Sequence, residues 1–389
     1  MRRNGRVQAP AMSHHLKLVV GSITAVICLA AFQSPAARFE TIEKSGINSS
    51  LNPAKTPEKH LIETMAGGVA LIDADGDGLL DVFLANGAPQ PKLHKTGPTW
   101  SNRLYRNKGN LEFEDVTDKS GLHGLGFDIG TAAADYDNDG DTDLFVTGVR
   151  GNTLFRNEGA LKFADVTRQA KLGQDDVPAH QRWSVGAGWF DFDRDGWLDL
   201  FVVRYVQWLP EREPFCGDQQ KGYRSYCHPK HYEGLPNALY RNNRDGTFTD
   251  MSSASGVAAH VGKGMGVAFA DMDADLDIDV LVTNDTVPNF LFRNEGNGKF
   301  SQVGMQSGIA LNDDGRALSS MGADFRDINN DGQEDIFITA LSNETFPLYQ
   351  NSAKGFFLDV TYPSRLGTLT LPWSGWGTGI FDFNNDGWK

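Results

Sequence analysis

Cysteine is nearly missing from this 389-residue chain: there are three, and one of them, Cys28, falls in an N-terminal apolar stretch. A chain of this length buries enough core to fold without a disulfide scaffold. Positive charge is also short, with 36 Lys and Arg against 50 Asp and Glu, a net of -14. Nucleic-acid binding needs a basic surface that displaces counterions, so that class of partner is excluded. Long hydrophobic runs are scarce too. The candidate run, Leu18 to Phe32, has fifteen residues, short of the roughly 20 that a membrane-crossing helix needs. No Gly-x-Ser-x-Gly elbow, Walker loop or His-Glu-x-x-His motif occurs, and the nine histidines are scattered. The common signatures of hydrolase and nucleotide chemistry therefore have no foothold.

What is present at the N-terminus reads as an export signal over residues 1–36. Arg2, Arg3, Arg6 and Lys17 lead into the apolar run, and Ser34-Pro35-Ala36 offers a small-x-small cleavage site. An uncleaved N-terminal anchor is the alternative, and no other membrane span is expected. Cleavage removes four cations and no acids, taking the charge from -14 to -18. The expected location is secreted, periplasmic or cell-surface. In that setting Cys216 and Cys227, eleven residues apart, are expected to pair as a disulfide.

Residues 37–389 repeat one unit, and the repeat dictates the fold class. In the first copy a Gly-rich apolar strand, Gly67 to Ile72, enters an acidic loop, and Asp81-Val82-Phe83-Leu84 leaves it. Leu104-Tyr105-Arg106-Asn107, a turn at Lys108-Gly109-Asn110, and Phe113-Glu114-Asp115-Val116-Thr117 follow. Leu154-Phe155-Arg156-Asn157, Leu239-Tyr240-Arg241-Asn242, Leu291-Phe292-Arg293-Asn294 and Leu348-Tyr349-Gln350-Asn351 mark the later copies. Four short strands per unit, repeated radially, predict an all-β, β-propeller architecture with glycines on the crowded inner strands. About five and a half blades are expected, the sixth unit ending inside its loop at Lys389, so that closure of the ring is in question. Phe39 to Glu43 reads as a lone fourth strand. The third unit holds an insertion, about 205–236.

The acidic loops begin at residues 73, 135, 191, 271, 327 and 382, between the first and second strands of each blade. They follow Asp-x-Asp/Asn-x-Asp-Gly-x-x-Asp. The candidate ligands are Asp73, Asp75, Asp77 and Asp81; Asp135, Asp137, Asp139 and Asp143; Asp191, Asp193, Asp195 and Asp199. Next come Asp271, Asp273, Asp275 and Asp279; Asp327, Asn329, Asp331 and Asp335; and Asp382, Asn384 and Asp386. Carboxylates packed this tightly repel unless a cation holds them. Calcium takes six to eight hard oxygens from a flexible loop, whereas magnesium demands a stricter octahedron. Five to six calcium ions are expected. An EF-hand needs Glu at position 12, where these loops carry Leu84, Val146, Val202, Val282 and Ile338, and is excluded. In the fourth loop Leu276 replaces the turn glycine, which predicts weaker binding there. The sixth loop has no position-9 ligand, which leaves its occupancy in doubt.

The units resemble FG-GAP/VCBS repeats, the calcium-loop blades of integrin α-chain heads. Leu-Tyr/Phe-Arg-Asn, Phe-x-Asp-Val-Thr and Val282-Thr283-Asn284-Asp285 are similar to the cartilage acidic protein family, whose bacterial relatives carry an UnbV/ASPIC module after the propeller. The resemblance implies a seven-bladed propeller, calcium loading and an exported role in binding or adhesion.

The insertion gathers Trp208, Tyr223, Tyr226, His228, His231 and Tyr232 beside the cysteine pair. Aromatic and imidazole groups on a loop of a rigid scaffold are candidates for ligand recognition. Trp183, Trp189, Trp373 and Trp376 flank inner strands and are expected in the core or channel. The expected function is a non-catalytic, calcium-dependent module that binds an extracellular or periplasmic protein or glycan. Two alternatives stand beside it: a calcium-dependent polysaccharide lyase or hydrolase, and a structural scaffold lacking its UnbV/ASPIC module.

Overall fold

The computed structural model describes residues 40–173 and 177–389. The export signal expected over 1–36 lies outside them. The chain divides into two units, Met1–Glu43 and Lys44–Lys389. In the first, Glu40–Glu43 form no strand, contrary to the expectation for 39–43. Ile42 is half exposed there, and a strand without a partner edge and a buried face is not stable by itself.

The second unit is built from four-stranded antiparallel sheets. The first holds β1 (Val69–Ile72), β2 (Asp81–Leu84), β3 (Arg103–Asn107) and β4 (Phe113–Asp115). The next holds β5 (Phe127–Ala134), β6 (Asp143–Val149), β7 (Thr153–Asn157) and β8 (Phe163–Asp165). The third begins with β9 (Ser184–Phe190) and β10 (Asp199–Arg204). An insertion carrying β11 (Gly217–Asp218), β12 (Tyr223–Arg224) and β13 (Leu235–Pro236) then intervenes before β14 (Ala238–Asn242) and β15 (Phe248–Asp250). After β16 (Val261–Gly262), a partner of β13, the fourth sheet runs β17 (Gly264–Ala270), β18 (Asp279–Asn284), β19 (Phe290–Asn294) and β20 (Phe300–Gln302). The fifth runs β21 (Ala323–Arg326), β22 (Asp335–Ile338), β23 (Leu348–Ala353) and β24 (Phe356–Asp359). Each is a meander whose strands pair in chain order.

Alternation of apolar residues gives each sheet two faces, and neighbouring sheets bury them against each other. Phe83 and Leu104 of the first sheet pack with Leu144 and Phe155 of the second. Phe145 and Leu154 pack with Leu200 and Tyr240 of the third. Phe201 meets Val280 and Phe292 of the fourth, and Leu281 and Leu291 meet Ile336 and Tyr349 of the fifth. The first strands β1, β5, β9, β17 and β21 lie side by side in that order. A Cβ on Gly68 would come within 2.1 Å of the Ile129 carbonyl oxygen, and one on Gly130 within 2.3 Å of that of Val185. Only glycine permits that approach, as the Gly-rich inner strands lead one to expect. Together these strands border an open cavity of about 610 Å³, lined among others by Met65, Thr131, Ala187, Val267 and Trp376. The arrangement is propeller-like. Among the described residues no helix is long and apolar enough to cross a membrane.

Candidate metal centres

Each of the first five acidic loops joins a first strand to a second strand, and its position-9 aspartate is the first residue of the second strand. The loops share one backbone scheme. Position 1 accepts the N–H groups of positions 5 and 6 through its two carboxylate oxygens, and position 5 accepts the N–H of position 7. In the first loop these are Asp77 and Gly78 donating to Asp73, and Leu79 donating to Asp77, at 2.9 to 3.1 Å. The same bonds recur in the third loop on Asp191 and Asp195 and in the sixth on Asp382 and Asp386, at 2.7 to 3.1 Å. Two residues per loop take left-handed backbone. Position 6 is Gly78, Gly140, Gly196, Gly332 and Gly387, but Leu276 in the fourth loop, where φ is 74°. Position 4, which the glycine pattern did not announce, is Gly76, Asn138, Arg194, Ala274, Asn330 and Asn385. Gly and Asn enter that region most easily, so the fourth loop, with Ala274 and Leu276, carries the most strain.

Carboxylates of positions 1, 3 and 9 converge. Asp73, Asp75 and Asp81 place one oxygen each within 4.8 Å of one another. Asp135, Asp137 and Asp143, then Asp191, Asp193 and Asp199, then Asp271, Asp273 and Asp279, repeat the cluster. The fifth loop has Asn329 at position 3 and keeps the same turn through Asp327 and Asp331. Each position-3 carboxylate of the first, second and fourth loops has one oxygen, Oδ1 of Asp75, Asp137 and Asp273, buried with no hydrogen-bond donor. A buried acceptor without a donor is costly, and a cation held among these oxygens relieves it. The donor set, oxygen only and drawn from a loop, fits a hard divalent ion. Burial, followed by hydrogen bonds that act the other way, pushes the Asp143, Asp199 and Asp279 carboxyls up to about 7. Asp81 and Asp335 are raised for the same first cause. Burial thus shifts these groups toward the neutral acid, and a bound cation would favour the carboxylate.

The position-9 aspartate does more than face the loop centre. It is fully buried in all five complete loops. In the third, Asp199 Oδ2 accepts the N–H of Phe192 at 3.1 Å, and Oδ1 accepts the N–H of Asn242 at 2.8 Å. Asn242 is the asparagine ending the Leu-Tyr-Arg-Asn strand. Its Nδ2 donates to Leu198 in its own loop at 3.0 Å and to Tyr136 in the preceding loop at 2.8 Å. Asn157 reaches back to Ala74 at 3.2 Å, Asn294 to Phe192 at 2.8 Å and Asn351 to Met272 at 2.9 Å. The motif asparagine thus staples each sheet to the metal loop of the sheet before it. Sequence reading treated it only as a strand marker; its return once per copy was the available signal.

The insertion separates its expected recognition residues. Cys216 and Cys227 form a disulfide, with Cα atoms 5.3 Å apart, so neither is available as a metal ligand. Tyr223, Tyr226, His228 and His231 are exposed. Trp208 and Tyr232 are instead buried, both hydrogen-bonded to Glu213, and Trp208 packs edge-on to Trp183. They build the insertion rather than face a ligand, because indole and phenol each find a buried partner for their polar atom. Tyr226 keeps an exposed ring while its hydroxyl donates to buried Glu63 at 3.0 Å. Of the inner-strand tryptophans, Trp183 is core, Trp189 is half-buried, Trp376 lines the cavity, and Trp373 is exposed.

A model of the FG-GAP-like repeat matches residues 73–146, 135–202, 232–282, 271–338 and 327–389. These spans contain all six acidic loops and, β1 apart, the first and second strands that meet at them. No curated protein matches the sequence. Among solved structures, the chain is similar at 18% identity and a TM-score of 0.39 to an Agrocybe aegerita lectin that recognises non-reducing terminal N-acetylglucosamine. That match covers 76% of this chain and 65% of the lectin. A Photorhabdus luminescens Tc holotoxin pore matches at 17% identity and a TM-score of 0.34, covering 75% of this chain and 12% of that one. The repeat matches span most of the chain and coincide with its sheets and loops, and on them it belongs to the FG-GAP-like repeat family.

Proposed function

We propose that the protein is an exported, calcium-loaded β-propeller that binds a protein or glycan through loops of one rim and catalyses no reaction. The observation that carries the calcium reading is the buried, donor-less oxygen at position 3 of the first, second and fourth loops, set among two further carboxylates. Positions 1, 3, 5 and 9 would supply carboxylates and position 7 a backbone carbonyl, a set suited to calcium. Export rests on the basic N-terminus and the apolar run after it. The finer kinship, with the cartilage acidic proteins and a seven-bladed ring, rests on the strand motifs and on Val282 to Asp285.

Recognition belongs on the rim away from the ions. In the third sheet β10 begins at the metal loop with Asp199 and ends at Arg204, where the insertion starts. The exposed Tyr223, Tyr226, His228 and His231 therefore stand at the opposite end of the strand from the metal loop. Rings with one apolar face and one polar atom suit a sugar or a peptide surface. Two measurements test the reading. Calorimetric titration of residues 37–389 with calcium should count about five ions and accompany a rise in melting temperature. Glycan and protein binding should then be saturable and lost when 210–232 is deleted. An absence of calcium uptake would refute the metal assignment, and turnover of acidic polysaccharide would replace the binding module by a lyase or hydrolase.

A further inference from the structure

The loops differ in what holds their position-5 carboxylate. One of its oxygens accepts the N–H of position 7 in every loop, so the other has the most lone-pair capacity left for a cation. In the second and fourth loops, among the described residues, no guanidinium lies on the second oxygen of Asp139 or Asp275. In the first loop Arg106 Nη2 donates to Asp77 Oδ2 at 3.0 Å, and its Nε stands 2.5 Å from Asp75 Oδ2. Both oxygens of Asp77 are then engaged, because Leu79 N–H holds Oδ1 at 2.9 Å.

The cause lies two residues further along the strand. Arg156 in the second copy and Arg293 in the fourth occupy the same motif position as Arg106, yet each is held by a glutamate and, among the described residues, makes no hydrogen bond to its loop, although its charge still reaches Asp137 or Asp273. Arg156 donates through Nε and Nη2 to Glu158 at 2.9 and 2.6 Å, and Arg293 to Glu295 at 3.1 and 2.8 Å. The first copy has Lys108 there, which repels a guanidinium instead of holding it. The third loop meets the same fate from another direction: Arg244 donates to Asp195 Oδ2 at 3.0 and 2.6 Å.

We propose that Arg106 is a latch on the first loop, competing with the cation for Asp75 and Asp77, and that a glutamate two after the motif arginine, as in the second and fourth copies, keeps that latch from engaging. The loops then load in a graded order, the second before the first. This inference rests on the calcium reading above.

Amide hydrogen exchange on the intact chain, titrated with calcium and read separately on peptides covering 69–84 and 131–146, tests it. The first loop should reach half-protection at about fivefold more calcium than the second, the range of a partly exposed ion pair. Arg106→Ala and Lys108→Glu should each bring the first loop down to the second. Glu158→Lys should move the second loop up. Arg156→Ala removes the same charge where the arginine is already held away, and should tighten the second loop less than Arg106→Ala tightens the first. Coincident midpoints in the unmodified protein, or equal tightening by Arg106→Ala and Arg156→Ala, would overturn the latch while leaving calcium binding intact. Calcium-independent exchange in every loop would overturn both.

Discussion

Replacing Asn242 by alanine should destabilise the protein far more than replacing Asn107, although both end the same strand motif. The Asn242 side chain is 3% exposed and makes three bonds: to the Tyr136 and Leu198 carbonyls at 2.8 and 3.0 Å, and from the Arg244 N–H at 2.9 Å. Asn107 belongs to the first sheet and, among the described residues, reaches no other sheet's loop. Its side chain donates to Leu80 at 3.0 Å at an exposed position and accepts from Gly109 at 2.9 Å. A buried carbonyl stripped of its donor costs about 1–3 kcal/mol, against about 1 kcal/mol for an exposed bond that water replaces. The expected losses are therefore about 3 kcal/mol for Asn242→Ala and about 1 kcal/mol for Asn107→Ala. Urea unfolding with metal chelated measures the difference directly, and melting should separate the two variants by about 3 °C. Losses agreeing within about 0.5 kcal/mol would mean that the bond to Tyr136 contributes nothing, and the staple between sheets would have to be abandoned.

Three further outcomes follow from the same geometry. Burial raises Asp143, Asp199 and Asp279 from 3.8 to about 7 in the folded chain; for an acid so raised, stability is full below about 3.8 and is lost as pH climbs through about 7. With chelator present, melting should thus be higher at pH 5.5 than at pH 8, while calcium affinity should rise over that interval; melting that rises toward pH 8 in chelator would contradict this. Leu276→Gly removes a side chain from left-handed backbone at φ 74°. It should tighten the fourth loop by about fivefold, the equivalent of about 1 kcal/mol, as read by exchange of a peptide over 264–284. Asp199→Asn should cost about 2–3 kcal/mol even without metal, since one carboxylate oxygen that accepts a backbone N–H becomes an NH₂ group facing it. Asp193→Asn, at an exposed position 3, should leave chelated stability nearly unchanged, and denaturant unfolding distinguishes the pair.

The sheets were legible because their cause is local. Alternation in Asp81-Val82-Phe83-Leu84 and turn residues at Lys108-Gly109-Asn110 need only neighbours in sequence, and copies in register confirm each other. The turn glycine at position 6 was legible for the same reason, and Leu276 stood out as its exception. Position 4 was less so: Asn138, Asn330 and Asn385 are Asn and the first is Gly76, but Arg194 and Ala274 break the pattern although they share the backbone region. Burial at the insertion was hidden as well. Nothing in the order of residues 205–236 says that Glu213 lies beneath Trp208 and Tyr232, or that Glu63, far upstream, meets Tyr226. Aromatic content suggested a surface; a buried carboxylate able to satisfy two polar rings made part of it core.

The contact least visible in the sequence joins stability to metal loading. At position 2 of the first four loops the backbone of one residue serves two partners: its N–H goes to the position-9 aspartate of its own loop, and its carbonyl to the asparagine of the next sheet. Phe192 does both, donating to Asp199 at 3.1 Å and accepting from Asn294 at 2.8 Å. Asn294 in turn presents its own N–H to Asp279 at 2.8 Å, the position-9 ligand of the following loop. A chain of hydrogen bonds therefore runs from one candidate metal site to the next through backbone that cannot move without breaking a strand. An ion that fixes Asp199 also fixes the Phe192 peptide on which the fourth sheet is hung. The acids that look from sequence like independent binding loops are, in the folded chain, the hubs at which adjacent sheets are fastened.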